Sequence, residues 1–306
     1  MATADLSASP VPLVRWAPLA PLTTYKVGGP AEWLAEPATE EDLLELLAVA
    51  VDAGVSYVML GRGSNVVVSD DGFPGLVVHP VGDLTRISIE GDGTVEAGAA
   101  APLPRVARAA VEAGRGGLEF LVGIPGSVGG AVRMNAGCFG SDTAGWLVTA
   151  RVLEPGGVIT ERDPEDLAMA YRHTNLTDAD VVLSARFRTV PGDVAEGKRK
   201  LRDITQWRRT HQPGGTLNAG SVFKNPDGDA AGRIIESLGL KGLRVGDVSV
   251  SARHANFFEA GPAADARSVH GLVAEVRRRV RAATGIDLEP EVRFIGDFAE
   301  PAAGER

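Results

Sequence analysis

The run GIPGSVGGAVRMNAG at residues 123–137 sets glycines 123, 126, 129, 130 and 137 around Pro125, where a packed core would need side chains. Glycine carries no Cβ and tolerates positive φ, so successive N–H groups can turn inward as a concave nest for an anion such as a phosphate or pyrophosphate. The run AVRMNA that follows reads as helical, which puts the nest at a helix start, where unpaired donors and the dipole favour negative charge. A second glycine turn, GRGSN at residues 61–65, offers Ser64 and Asn65 as side-chain donors. Two readings of the pair stand. The turns grip one extended dinucleotide, one at its pyrophosphate and the other at an adjoining ribityl or ring segment, or both merely let elements pack closely.

Other signatures are missing. There is no GxxxxGK[ST] phosphate loop and no GxGxxG after a strand, which disfavours a P-loop hydrolase and a Rossmann nicotinamide site. The histidines at 79, 173, 211, 254 and 270 have neither HExxH nor other ligand spacing, so no metal site is expected. No GxSxG elbow marks a hydrolase nucleophile.

A net charge of −9 argues against a nucleic-acid binder, which needs clustered surplus cation. Arg277, Arg278, Arg279 and Arg281 fall in a periodic stretch and read as a solvated helix face. One cysteine, Cys138, excludes a disulfide framework and fits a reducing cytoplasm. No secretion signal and no run of eighteen apolar residues is present, so a soluble, cytoplasmic protein without membrane partners is expected. The first dozen residues and the last stretch from Glu300 are expected to be loose.

The elements that must position the turns are legible as an α+β pattern. The segment TEEDLLELLAVAVDAG predicts a helix capped by Thr39 and ended by Gly54, followed by the strand VSYVML, the first turn, and an extended LVVH at residues 76–79. TRISIE and TVEAG predict antiparallel strands, and residues 103–113 a helix ended by Gly114. TARVLE and VITERD flank Pro155, Gly156 and Gly157 as a hairpin, and residues 180–190 predict a long strand. A polar helix at 194–210 leads to a third unit with GSVFKNP, a helix around AGRIIESLGL, a strand VSVSARHANFF, a helix at 264–283 and a last strand in EPEVRFIG. The expected lobes are 1–80, 81–193 and 194–306.

LGRGSNVVVSD and GLEFLVGIPGSVGGAVRMNAGCFG resemble the flavin-binding loops of the UDP-N-acetylenolpyruvoylglucosamine reductase family, whose fold is the vanillyl-alcohol-oxidase (PCMH) type. The likeness extends in order through TYKVGGPA, AYRHTNL, GSVFKNP and LEPEVRFIG, over residues 22–296. It implies a two-lobed FAD-binding fold plus a C-terminal α+β substrate-binding domain. It also implies reduction of an enolpyruvyl ether of UDP-N-acetylglucosamine to UDP-N-acetylmuramate for peptidoglycan synthesis, with NADPH charging FAD in ping-pong order. FAD contacts would come from Gly61, Arg62, Gly63, Ser64, Asn65 and Val66, and from Gly123, Ile124, Pro125, Gly126, Ser127, Gly129, Gly130, Ala131, Asn135 and Gly137.

The resemblance assigns the chemistry to Arg172, Ser221 and Glu291. Hydride delivered to the β-carbon of an enolpyruvyl group leaves carbanion character on C2 and its carboxylate. A guanidinium fork at Arg172 and a protonated Glu291 suit that charge, and Ser221 is the implied proton donor to C2, its transient alkoxide steadied by Lys224 or a water. On their own, the three would be a surface ion pair, a turn hydroxyl and a strand-edge charge. Tyr171, Lys224, Asn225, Arg233 and Arg293 are the expected substrate contacts. The segment from Arg172 to Asp193 is too short for the tyrosine-bearing loop of some members, so the chain resembles the shorter class. Cys138 reads as a small buried hydrophobe, with FAD held noncovalently, and a monomer is expected. An oxygen-using oxidase of the same fold and a nonenzymatic flavin or nucleotide-sugar binder are the competing readings.

Overall fold

The computed structural model describes residues 6–298. The tail from Glu300 and residues 1–5 lie outside that range. The expectation of a loose first dozen residues is corrected at Leu6, which is buried in a cluster with Leu43, Leu46 and Leu47. The chain forms two compact units. Unit 1 takes in residues up to Val14, Trp33–Arg62 and Gly75–Arg208; unit 2 takes in Arg15–Glu32, Gly63–Pro74 and the chain from Arg209 onward.

In unit 1, helix α1 (Glu40–Asp52) starts where the Thr39 side chain accepts the Asp42 N–H at 3.1 Å. It buries Leu43, Leu46, Leu47 and Ala50, one apolar stripe at helical spacing. Gly54, at φ +65, follows its last turn. The strand Tyr57–Met59 pairs in parallel with Phe73–Val78. A five-stranded antiparallel sheet runs in the order Ile159–Arg162, Leu147–Leu153, Val181–Phe187, Val95–Gly98, Ile87–Ile89. Its central strand Val181–Phe187 is apolar nearly throughout because both faces are covered: Val181 and Leu183 join the α1 cluster, whereas Val182 and Phe187 join a second cluster with helix α2 (Leu103–Glu112).

Helix α3 (Val128–Met134) begins before Gly129 and Gly130, which corrects the expectation that the helix follows them. Gly129 is inside the helix because it presses on Ala99, just past the strand Val95–Gly98: its N–H donates to the Ala99 carbonyl at 2.8 Å, and a Cβ there would sit 3.1 Å from the Ala99 Cβ. Helix α4 (Val194–His211) closes the unit.

Unit 2 holds its own core. Helices α5 (Ala231–Ser237) and α6 (Ala266–Thr284) pack with Tyr25, Val67, Phe223 and Phe258. The first N–H groups of α6 are satisfied by two carboxylates: Asp70 accepts from Ala266 and Arg267 at 2.8 and 2.9 Å, and Asp265 accepts from Ser268 at 2.7 Å. The basic run is solvated as expected, with Arg278 and Arg279 bonded to Glu275 and Arg277 to Asp287. The expected strand VSVSARHANFF is broken into Val248–Val250 and Phe258–Ala260. The Ser251 Oγ accepts the Arg253 N–H at 3.1 Å and so turns the chain between them. The last strand, Arg293–Ile295, pairs in parallel with Val66–Val68.

Candidate active site

The start of the first glycine turn, Gly61 and Arg62, meets the second in unit 1, although about sixty residues of chain separate them. The Arg62 Nε donates to the Pro125 carbonyl at 3.1 Å, and a Cβ on Gly61 would overlap the Ser127 Oγ. None of the glycines from 123 to 130 has positive φ, so the expected nest of left-handed glycines is corrected. These glycines serve close approach instead: a Cβ on Gly123 would lie 2.9 Å from the Cys138 Sγ. The open donors come from the entry to α3. Val128 and Gly129 donate to Ala101 and Ala99, whereas the N–H groups of Gly126, Ser127 and Gly130 have no protein acceptor among the described residues.

Arg172 sits at the tip of a two-residue turn closed by reciprocal 3.1 Å bonds between Ala170 and His173. Its backbone is left-handed, φ +51, a conformation that costs a non-glycine residue about 1–3 kcal/mol and persists only where surroundings enforce it. Those surroundings are visible. Asn135, left-handed at the end of α3 and buried, donates from Nδ2 to the Ala170 carbonyl at 2.9 Å and accepts the Ala144 N–H at 2.9 Å. The Arg172 guanidinium in turn donates to the Gly137 carbonyl at 2.8 Å and stacks on Tyr171, 5.2 Å from its ring centre. Asn135 thus locks the base of the turn that carries Arg172.

Cys138 donates to the Phe120 carbonyl at 3.1 Å. Burial pushes its thiol up to about 11, against a smaller opposing pull from Arg208 and Arg172. Arg208, on α4, donates to the Gly123 carbonyl and so supports the turn from below.

In unit 2, residues 221–224 run between two neighbours. The Val222 N–H donates to the Asn256 carbonyl at 2.8 Å on one side. On the other, two bonds cross the gap: the Glu291 N–H reaches the Val222 carbonyl at 2.7 Å, and the Lys224 N–H the Glu289 carbonyl at 2.9 Å. Phe223 therefore faces Pro290 at a non-hydrogen-bonded position, where a missing N–H costs nothing. Ser221 and Glu291, seventy positions apart in sequence, are carried on adjoining extended segments, both half-buried.

Residues 31–162 match an FAD binding domain, and residues 212–295 match the C-terminal domain of UDP-N-acetylenolpyruvoylglucosamine reductase. The UDP-N-acetylenolpyruvoylglucosamine reductase of Parasynechococcus marenigrum (strain WH8102) is 45% identical, over 93% of this chain and 96% of its own. The chain belongs to the UDP-N-acetylenolpyruvoylglucosamine reductase family. The member of that reductase family from Rubrobacter xylanophilus is 43% identical over 92% of this chain and 94% of its own. The crystal structure of the reductase from Thermus caldophilus matches with a TM-score of 0.79 at 35% identity, covering 94% of this chain and 99% of that one. The expected fold class and family are borne out.

Within this reductase framework the expected residues fall as follows. Gly61, Arg62 and the run from Gly123 to Gly137 lie in unit 1 with Tyr171 and Arg172; Gly63, Ser64, Asn65 and Val66 lie in unit 2 with Ser221 and Glu291. Asn65 donates from Nδ2 to the Glu291 carbonyl at 2.9 Å. Lys224 pairs with Glu289 at 2.6 Å and Arg233 with Asp229, both at the surface. Asn225 accepts the Ala231 N–H at 3.0 Å and so caps α5. Arg293 begins the strand that pairs with Val66. The sequence reading missed Arg208, Asp70 and Asn256; polar residues in a basic helix and in broken strands gave no periodic signal.

The residues of unit 1 fit a flavin dinucleotide. Three unpartnered N–H groups beside a glycine that cannot bear a side chain provide donors and space for a pyrophosphate. Gly126, Ser127 and Gly130 would hold it.

Proposed function

We propose that the chain is an NADPH-dependent UDP-N-acetylmuramate dehydrogenase, reducing the enolpyruvyl ether of UDP-N-acetylglucosamine to the lactyl ether for peptidoglycan precursor synthesis. The observation that carries this reading is the pairing of the Ser221 and Glu291 segments through the Glu291 N–H and the Val222 carbonyl, in a chain whose relatives are named for that reaction.

When bound, FAD supplies a hydride, taken from NADPH, to the β-carbon of the vinyl ether. Arg172 offers a planar cationic fork to the substrate carboxylate as negative charge grows there, and Glu291, protonated, adds a hydrogen bond. Ser221 completes the reduction: its Oγ–H bond breaks as the C2–H bond forms, and solvent returns a proton to the alkoxide. One NADPH and one proton are consumed per ether reduced.

Residues 1–80 and 81–193 are proposed to hold FAD, and 194–306, joined in its compact unit by residues 15–32 and 63–74, the UDP sugar. Lys224 and Arg233 would exchange exposed carboxylate partners for the diphosphate, a small loss for surface pairs. Tyr171, Asn225 and Arg293 complete the proposed substrate contacts. No helix among the described residues is long and apolar enough to cross a membrane; a cytoplasmic monomer is the proposal.

The visible spectrum of the purified protein tests the reading. A flavin band near its usual position should bleach with NADPH under anaerobic conditions and return on adding the enolpyruvyl sugar. A colourless protein that takes up no flavin, or a bleached band restored by oxygen and sugars but not by the UDP substrate, overturns it.

A further inference from the structure

Residues 221–224 are bridged through Phe223 to Pro290 on the Glu291 side and through Ser221 to Phe257 on the other. There the backbone pairing ends at Val222, whose N–H donates to the Asn256 carbonyl. The next residue, Phe223, is fully buried and presents both its N–H and its carbonyl to that incomplete side. The side chain of Asn256 takes both. Its Oδ1 accepts the Phe223 N–H at 2.9 Å and its Nδ2 donates to the Phe223 carbonyl at 2.8 Å, with both residues buried. A primary amide has the same donor and acceptor pair as a peptide group, so Asn256 acts as one more strand residue in a place where the chain has already turned away.

We infer that Asn256 is a positioning residue for Ser221, setting the height of the serine hydroxyl relative to Glu291. This rests on the reading of Ser221 as the proton donor. Four bonds fix Val222 and Phe223, the two residues that follow the serine: two from the Asn256 amide, one from the Asn256 carbonyl, and one from the Glu291 N–H to Val222. Without the amide, two buried backbone groups lose their partners and the segment must move to hydrate them. A shift of about 1 Å in a reacting group is enough to cost about a hundredfold in rate.

The test uses the full FAD-loaded chain in stopped flow, with reduction by NADPH and reoxidation by the UDP-enolpyruvyl sugar measured separately. In Asn256→Ala, reoxidation should slow by about 10- to 100-fold. Reduction by NADPH and the affinity for the sugar should stay within about threefold of wild type, a smaller effect than one lost contact on either ligand would give. The solvent deuterium isotope effect on reoxidation should rise as proton transfer becomes limiting. The double variant Ser221→Ala/Asn256→Ala should be no slower than Ser221→Ala alone, because Asn256 acts through the serine. Asn256→Asp, which keeps the acceptor and loses the donor, should fall between, and it replaces the alanine variant if that one does not retain FAD on thermal melting. Unchanged reoxidation in the variants, or losses that multiply in the double variant, overturn the inference. A wild-type protein that is reduced by NADPH but never reoxidised by the sugar takes down the underlying function as well.

Discussion

Asn65 reaches Glu291 across 226 positions of sequence and is bonded again just beyond it: the Asn65 Nδ2 donates to the Glu291 carbonyl at 2.9 Å, and the Arg293 N–H two residues on donates back to the Asn65 carbonyl at 3.0 Å. The end of the first glycine turn is thereby tied to the extended segment that carries the proposed acid. Asn65→Ala removes one of those bonds, worth about 1 kcal/mol, and leaves the parallel pairing of Val66 with Arg293 in place. The expected result, read on the FAD-loaded fraction, is reoxidation by the UDP substrate slowed about tenfold.

Gly63 is irreplaceable for two separate reasons. Its φ is +56, and a Cβ there would run into the Leu22 carbonyl and the Thr23 backbone. Gly63→Ala should therefore destabilise the fold by about 2 kcal/mol or more, seen as a lower melting temperature and weaker FAD retention. Gly156 is the control: its φ is +94 but nothing lies within 4 Å of an added Cβ, so Gly156→Ala should show the conformational cost without the collision.

Ser221→Ala separates the two halves of the reaction. The variant should be bleached by NADPH at the wild-type rate. Its return to the oxidised spectrum on adding the enolpyruvyl sugar should be at least about a hundredfold slower, the usual contribution of a placed proton donor. Equal turnover by the two proteins would remove Ser221 from the chemistry.

Cys138 should be a poor nucleophile in the folded protein. Burial raises its thiol to about 11, so the thiolate is scarce at neutral pH and accumulates only as pH rises toward that value. Alkylation by iodoacetamide at pH 7.5, followed by mass spectrometry, should be far slower than in urea-unfolded protein. Acid precipitation should leave the yellow flavin in the supernatant, in keeping with noncovalent binding.

Several features were legible because they depend on neighbours in sequence. The Thr39 cap, the hairpin at Gly156 and Gly157, and the long strand 181–187 all follow from residues a few positions apart. The broken strand at 251–257 was not legible, because alternating apolar residues there concealed a serine hydroxyl that competes for backbone N–H groups. The nest was half legible. The glycines mark a close approach of backbone, but the sequence did not reveal that they achieve it without positive φ and from within α3.

The sequence alone determined the element types, the glycine turns and the family, since capping, alternation and motif order are local and survive without knowledge of contacts. Only the tertiary structure decided that Asn135 would lock the Arg172 turn, that Asn65 would hold the extended segment of Glu291, and that Asn256 would stand in for a strand beside Ser221. A buried side-chain amide must find a donor and an acceptor, yet nothing in its sequence neighbourhood says whose they will be; that is settled when distant segments are packed and their unpaired backbone groups come into reach.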